Sequence, residues 1–387
     1  MSLRWSIPIG RVLGIRLGIH VTFFLIIAWV SWIGWDYGGF SASLWAVAMI
    51  CLLFFCVVLH ELGHSVVALR FGIEVNSITL LPIGGVAAMQ SMPEEPREEL
   101  LIAIAGPLVN VIILAILIPF VGFPTWLEMP LIPGSVSELV DTLIRANFIL
   151  VAFNLLPAFP MDGGRVLRAC LAMVISYPAA TAWASGIGRC VAVLFVLVGL
   201  YVNPFLAIIG VFVFLGAEGE NRMVRVKDAV KNIPVSSLMR RNPPVLQTTD
   251  TLRDCLQAYH HRGVTHFIVL HGARLRGILP ASVWMEAVKT NTPDERVEKH
   301  MLLRFFSFSP DLTLDQVIQD ILGMKQDLFP VVEGEELKGA LVLDDLRDFI
   351  ARKTGAPSSR TPQLPASAEP PYAQPPSRSS RFNVDLG

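Results

Sequence analysis

The residues best equipped for chemistry are His60, Glu61 and His64, in the run His60-Glu-Leu-Gly-His64. On a helix the two histidines lie one turn apart on one face, so two imidazoles can share one Zn²⁺ while Glu61 reaches a water beside them. That is the chemistry of a metallohydrolase. A five-residue pattern also arises by chance on soluble helices. The setting weighs against chance, because the motif lies in the apolar stretch from Leu52 to Leu69. Ionisable groups in such a span are costly unless paired or metal-bound.

A second constellation runs from Asn154 to Arg165, NLLPAFPMDGGR. Pro157 and Pro160 interrupt helical hydrogen bonding, and Gly163 with Gly164 permit unusual backbone angles. Unwound backbone at membrane depth is tolerated only where it is buried in protein or lines a water-filled cavity. Asp162 sits at this break. It is either the N-cap of the segment that begins near Gly164 or the third ligand that a catalytic zinc requires, and spacing leaves both readings open.

The elements that must position these groups are membrane spans. Of 387 residues 53% are hydrophobic and only 16% charged, and the mean hydropathy of +0.56 points to a bilayer. The formal net charge of −1 conceals a division, since residues 19–217 carry few charges and the chain from 218 onward has the make-up of a soluble domain. Six apolar runs stand out, at about 18–35, 43–71, 100–121, 139–159, 179–200 and 204–217. Arg4, Arg11 and Arg16, then Arg165 and Arg168, then Arg222, Arg225 and Lys227 mark the cytoplasmic side by the positive-inside rule. Both termini are therefore expected in the cytoplasm of a multi-pass cell-membrane protein. The opening residues lack a cleavage pattern, so no removable signal peptide is expected. Five scattered cysteines read as reduced, small core residues.

Between the spans, residues 76–92 have the composition of a short strand and turn, around Pro82, Gly84 and Gly85. Such a hairpin could offer its edge to an extended substrate; a re-entrant connector reads as well. Glu94–Glu99 forms a polar patch on the cytoplasmic side. Gly106, Pro107 and Asn110 in the third run read as close helix packing with one polar contact. Arg189 is an isolated cation in the fifth run. From about 233 a weak repeat appears, each copy a helix, two strands and a helix. The last 33 residues, 355–387, hold seven prolines and cannot bury a core, so they read as disordered.

His60-Glu-Leu-Gly-His64 together with Asn154, Pro157, Pro160, Asp162 and Gly163 resembles the two motifs of the site-2 protease family, the intramembrane zinc metalloproteases of peptidase family M50. The resemblance covers about residues 1–222. It implies that His60, His64 and Asp162 bind one Zn²⁺, that Glu61 is the general base, and that Asn154 helps hold substrate or the oxyanion. It also implies that Ile83-Gly84-Gly85-Val86 belongs to the substrate-facing strand and turn. Residues 233–353 resemble a pair of CBS domains, a module that often senses adenine nucleotides. The first copy, Gly277-Ile-Leu-Pro-Ala-Ser-Val283, lacks the acid that would hold a ribose. The second, Gly339-Ala-Leu-Val-Leu-Asp-Asp345, keeps Asp345 but has Val342 where the pattern asks for a hydroxyl. At most one weakly held adenine nucleotide per pair is expected.

The fold expected is thus a polytopic α-helical membrane protein, with six transmembrane helices and a short membrane-associated β-hairpin. A cytoplasmic α/β CBS-domain pair and a disordered tail follow. The domains expected are 1–222 for the protease, 233–291 and 295–353 for the CBS copies, and 355–387 for the tail. The function expected is cleavage of membrane proteins in or beside their transmembrane segments, regulated by a ligand of the pair. Expected partners are the membrane-protein substrate, the bilayer, an adenine nucleotide and a second copy joined through the CBS pair, with no nucleic acid. The alternative is a catalytically silent membrane sensor, which the intact His60, Glu61, His64 and Asp162 set disfavours; a transporter built on inverted repeats is a third class, for which no partner repeat of the His60–His64 span is visible.

Overall fold

A computed structural model describes residues 5–82, 84–89, 93–124, 132–290, 293–324 and 326–355. The chain forms two compact units, Met1–Arg225 and Val226–Gly387.

In the first unit, alternation of Ile15, Leu17 and Ile19 with Arg16, Gly18 and His20 suits a strand rather than the start of a helix. β1 (Ser6–Val12) and β2 (Ile15–His20) form an antiparallel hairpin whose tight turn places both Leu13 and Gly14 at positive φ, 52° and 83°. The first apolar run therefore starts later than residue 18. Behind it α1 (Phe23–Arg70) is a pair of helical arms, because Gly38 and Gly39 leave helical geometry and Gly39 takes φ 70°. Ser31 and Ser43, one on each arm, share a hydroxyl hydrogen bond of 2.7 Å. β3 (Val75–Leu81) pairs parallel with β2 and antiparallel with β4 (Gly84–Met89), giving a sheet in the order β1-β2-β3-β4 with β4 at an edge. Ile15, Ala68, Val75, Ile78 and Ile102 bury their side chains together, fastening the sheet to the second arm of α1.

The remaining helices of this unit are α2 (Pro96–Val121), α3 (Val136–Asn154), α4 (Asp162–Ala172), α5 (Tyr177–Val202) and α6 (Pro204–Ala229). Four helices among the described residues, α1, α2, α5 and α6, are long and apolar enough to cross a membrane. α3 is not one of them, because Glu138, Asp141, Arg145 and Asn147 dilute its apolar run; Arg145 pairs with Asp141 one turn away. Arg189 of α5 bonds Glu218 of α6 at 3.0 Å.

Glu99 is no surface acid. It is fully buried against Arg168 of α4, whose Nε donates to Glu99 Oε1 at 2.8 Å. Arg168 also donates to Glu220 of α6 at 2.5 Å, with its guanidinium 4.9 Å and 5.0 Å from the Phe159 and Tyr177 ring centres. A buried charge must be paired to persist, and here one arginine ties α4 to α2 and α6.

The second unit has α7 (Val235–Leu238), β5 (Val245–Gln247), α8 (Leu252–Arg262), β6 (Phe267–His271), β7 (Arg274–Leu279) and α9 (Ala281–Lys289) in its first half. In the second half come α10 (Leu314–Gly323), β8 (Leu328–Glu333), β9 (Glu336–Val342) and α11 (Leu343–Thr354). The repeat extends to detail, for α8 and α10 both begin with a reciprocal capping box, Thr251 with Asp254 and Thr313 with Gln316. Each half lends its opening segment to the other: Val235 N–H donates to Leu312 O at 2.8 Å, and Leu252 N–H to Glu295 O at 3.0 Å. Val235 accordingly lies in the core of the second half and Val297 in that of the first. Cys56 and Cys255 are buried, and burial pushes the Cys255 thiol up to about 12, whereas Cys51, Cys170 and Cys190 are exposed on their helices. The tail expected to be disordered lies, from residue 356 on, outside the described residues.

Candidate metal centre

The second arm of α1 carries His60 and His64 one turn apart, as helical periodicity requires, and both are buried. Their Nε2 atoms are 3.1 Å from each other. Asp162 Oδ2 lies 3.2 Å from the first and 3.1 Å from the second. Asp162 is the first residue of α4, one place after Met161, which holds the cap position. Of the two roles open to it, the structure therefore removes the N-cap and leaves its carboxylate facing the histidines.

The protons on the rings are fixed from behind. His64 Nδ1 is 2.7 Å from the Ile102 carbonyl of α2, a group that can only accept, so that nitrogen carries the proton and Nε2 of the neutral ring is bare. His60 Nδ1 is 2.5 Å from Asn110 Oδ1. Two imidazole nitrogens and a carboxylate oxygen thus converge within 4.8 Å. With Zn²⁺ bound, these three atoms would be the two-nitrogen, one-oxygen donor set of a catalytic site that keeps a fourth position open. A space is also kept for the ion: a Cβ on Gly106 would lie 2.2 Å from His64 Nε2 and 2.8 Å from His60 Nε2. The residues fit the metal.

Glu61, between the histidines, is packed against the backbone of β4, where a Cβ on Gly85 would meet its Cγ at 2.6 Å. The strand and the carboxylate are therefore next to one another, which sequence spacing alone does not reveal. Gly84 stands at the start of the same strand with φ 135°. Gly163 and Gly164 are helical, against the expectation of unusual angles. What they supply is room, since a Cβ would sit 2.2 Å from Leu156 O at the one and 2.6 Å from the Ala158 carbonyl carbon at the other. The broken segment 155–161 can thus fold back on α4. Asn154 closes α3 and is half-buried.

Asn110, a packing residue by its sequence setting, touches His60, and Asn147, which no sequence motif marks, accepts a hydrogen bond from it. Asn110 Nδ2 is 2.7 Å from Asn147 Oδ1. The available signal is an amide two turns before Asn154 on the same helix. His20 has a local role, its Nδ1 hydrogen-bonded to the Thr22 hydroxyl at 2.8 Å. In the second unit Asp345 is engaged at both oxygens by Arg240, at 2.6 Å and 2.8 Å, and this bond raises the Arg240 pKa further.

Apolar helices that enclose two histidines, a carboxylate and a neighbouring glutamate define a membrane-embedded metallohydrolase. Residues 48–129 and 125–198 match peptidase family M50, and residues 235–288 match the CBS domain. The zinc metalloprotease MJ0392 of Methanocaldococcus jannaschii is 35% identical over 345 residues, covering 89% of this chain and 96% of that protein. The stage IV sporulation protein FB of Bacillus subtilis is 33% identical over 123 residues, 31% of this chain and 38% of that one. Among solved structures, the site-2 protease from M. jannaschii shares 40% identity, with a TM-score of 0.42, over 56% of this chain and 95% of that chain. The chain belongs to peptidase family M50, the site-2 proteases. It is a zinc-dependent protease embedded in the membrane, with a CBS-domain pair in its second unit.

Proposed function

We propose that His60, His64 and Asp162 hold the zinc, and that Glu61 is the general base for hydrolysis of peptide bonds in or next to transmembrane segments of membrane proteins. The observation that carries this reading is the convergence of His60 Nε2, His64 Nε2 and an Asp162 carboxylate oxygen beside Glu61, with the other nitrogen of each histidine against a carbonyl oxygen. Zinc at such a site supplies a Lewis acid and lowers the pKa of water to near neutrality. Glu61 takes the proton of the attacking water and returns it to the leaving amine. Because a helical carbonyl is hydrogen-bonded and covered, the substrate must be unwound. The free edge of β4 at Gly84 and Gly85 offers main-chain partners for an extended segment close to Glu61, and Asn154 holds substrate or the developing oxyanion.

In this reading the membrane unit, 1–222, crosses six times: the two arms of α1, then α2, α3, α5 and α6, with β3 and β4 as a membrane-associated hairpin. Both termini and the CBS copies, 233–291 and 295–353, face the cytoplasm, where a ligand of the pair regulates cleavage and the pair joins two chains. Asp345 is the residue for a ribose, in competition with Arg240, so binding of an adenine nucleotide is weak.

The test is cleavage of a co-expressed membrane substrate together with metal content. Glu61→Gln abolishes cleavage and keeps zinc, whereas Asp162→Asn loses both, a neutral amide being a poor zinc ligand. Retained cleavage in Glu61→Gln, or full zinc in Asp162→Asn at limiting metal, would refute the respective role.

A further inference from the structure

We infer that Asn147 and Asn110 are positioning residues that set the tautomer of His60 through a hydrogen-bond relay starting at a main-chain carbonyl of α3. The inference rests on the reading of His60 as a zinc ligand. The two histidines solve the same problem differently. His64 Nδ1 meets the Ile102 carbonyl directly, which leaves its proton one place to be. His60 Nδ1 meets a primary amide, and an amide can turn either its oxygen or its NH₂ towards the ring. If the NH₂ faced the ring, Nδ1 would have to accept, the proton would move to Nε2, and the lone pair that faces Asp162 and His64 would be gone.

The next links remove that freedom. Asn147 Nδ2 is 2.8 Å from the Leu143 carbonyl and 3.4 Å from Cys56 Sγ, so both of its N–H bonds have acceptors. Turned over, Asn147 would set its oxygen against the Leu143 oxygen, two acceptors at hydrogen-bonding distance in a site with no exposure at all. Asn147 Oδ1 is thereby committed to face Asn110, at 2.7 Å, and can only accept. Asn110 must then present Nδ2 to Asn147 and Oδ1 to His60. Polarity passes from Leu143 O through two amides to the ring, and Nε2 of His60 is left bare. Both asparagines are wholly buried, so water cannot substitute for either partner. The relay also makes α3 a contributor to the metal centre, although His60, His64 and Asp162 all lie on other helices.

The experiment uses the full-length protein in detergent and reads zinc affinity by chelator competition and the visible spectrum of the Co²⁺-loaded form. Asn147→Leu frees the Asn110 amide to turn and is expected to lower zinc affinity by about 10- to 100-fold, the range for groups that orient a metal ligand. Asn110→Leu, which leaves Asn147 on its carbonyl, is expected to do the same. The decisive variant is the double substitution Asn110→Asp with Asn147→Leu. A carboxylate presents only acceptors, so it accepts the hydrogen bond of His60 Nδ1–H without instruction from Asn147, and affinity and the Co²⁺ bands return towards wild type. Wild-type affinity in either single variant overturns the relay. So does a folded double variant that stays as weak as Asn147→Leu, since Asn147 would then act through packing alone. His60→Ala with undiminished affinity would overturn the ligand reading itself and not the relay.

Discussion

Replacing Gly106 with alanine adds one methyl group at the point where the metal centre is tightest. The new Cβ would lie 2.2 Å from His64 Nε2, 2.5 Å from its Cε1 and 2.8 Å from His60 Nε2, where ordinary contact begins at 3.4 Å. About 1 Å of movement is needed, of the order that costs a catalytic arrangement roughly 100-fold. The rings cannot withdraw freely, because His64 is held by Ile102 O at 2.7 Å and His60 by Asn110 Oδ1 at 2.5 Å. Nor can α2 back away cheaply, since it packs on α1 at Gly63, where a Cβ would meet Ala105 O at 2.7 Å. Zinc affinity in Gly106→Ala is expected to fall by about 100-fold, or about 3 kcal/mol, with about 1–3 kcal/mol of overpacking cost to stability. The assay is chelator competition on the purified full-length protein, alongside cleavage and thermal unfolding. Gly186→Ala is the control: its Cβ meets nothing within 4 Å, and helix propensity favours it by about 0.5–1 kcal/mol. Zinc bound at wild-type affinity by an active Gly106→Ala protein would refute the geometry of this site.

Three further outcomes are expected. Arg168→Met strands Glu99 in the interior and should cost about 3–5 kcal/mol in thermal unfolding, part of which Glu99→Gln in the same chain should restore; a loss below about 1 kcal/mol would mean that the Arg168 cluster does not hold α4. Arg240→Ala releases Asp345 from a half-exposed ion pair worth up to about 1 kcal/mol. It should tighten AMP binding to the full-length protein by up to about fivefold in calorimetry, and unchanged binding would remove Asp345 as the ribose contact. In a chain with Cys51, Cys56, Cys170, Cys190 and Cys255 replaced, Ser135→Cys should react with an impermeant maleimide on intact cells and Ser307→Cys only after lysis; the reverse would overturn the proposed orientation.

Periodicity and residue chemistry are local. Two histidines one helical turn apart, an acid in a proline-broken segment, and the repeat of cap, strands and helix in the second half are written in adjacent residues. Each follows from the geometry of one element. What lies between elements is not written that way. No pattern around Ser6–Val12 announces that β1 and β2 will join β3 and β4 in one sheet, because the parallel pairing of β2 with β3 spans the whole of α1. The burial of Glu99 depends on Arg168 arriving from 69 residues away, and nothing adjacent to Glu99 in the sequence marks it as buried. The glycines of the Asp162 segment were legible as special, but their use, space and not backbone angle, required the neighbouring carbonyls. Asn110 and Asn147 have the same explanation: an amide that will be buried shows only that a partner must exist, and packing of α1, α2 and α3 decides that Asn110 meets His60 and Asn147 meets Asn110. The sequence by itself determined the donor types and their helical spacing; the tertiary structure decided their direction, since a hydrogen bond's polarity is set by what stands on its far side.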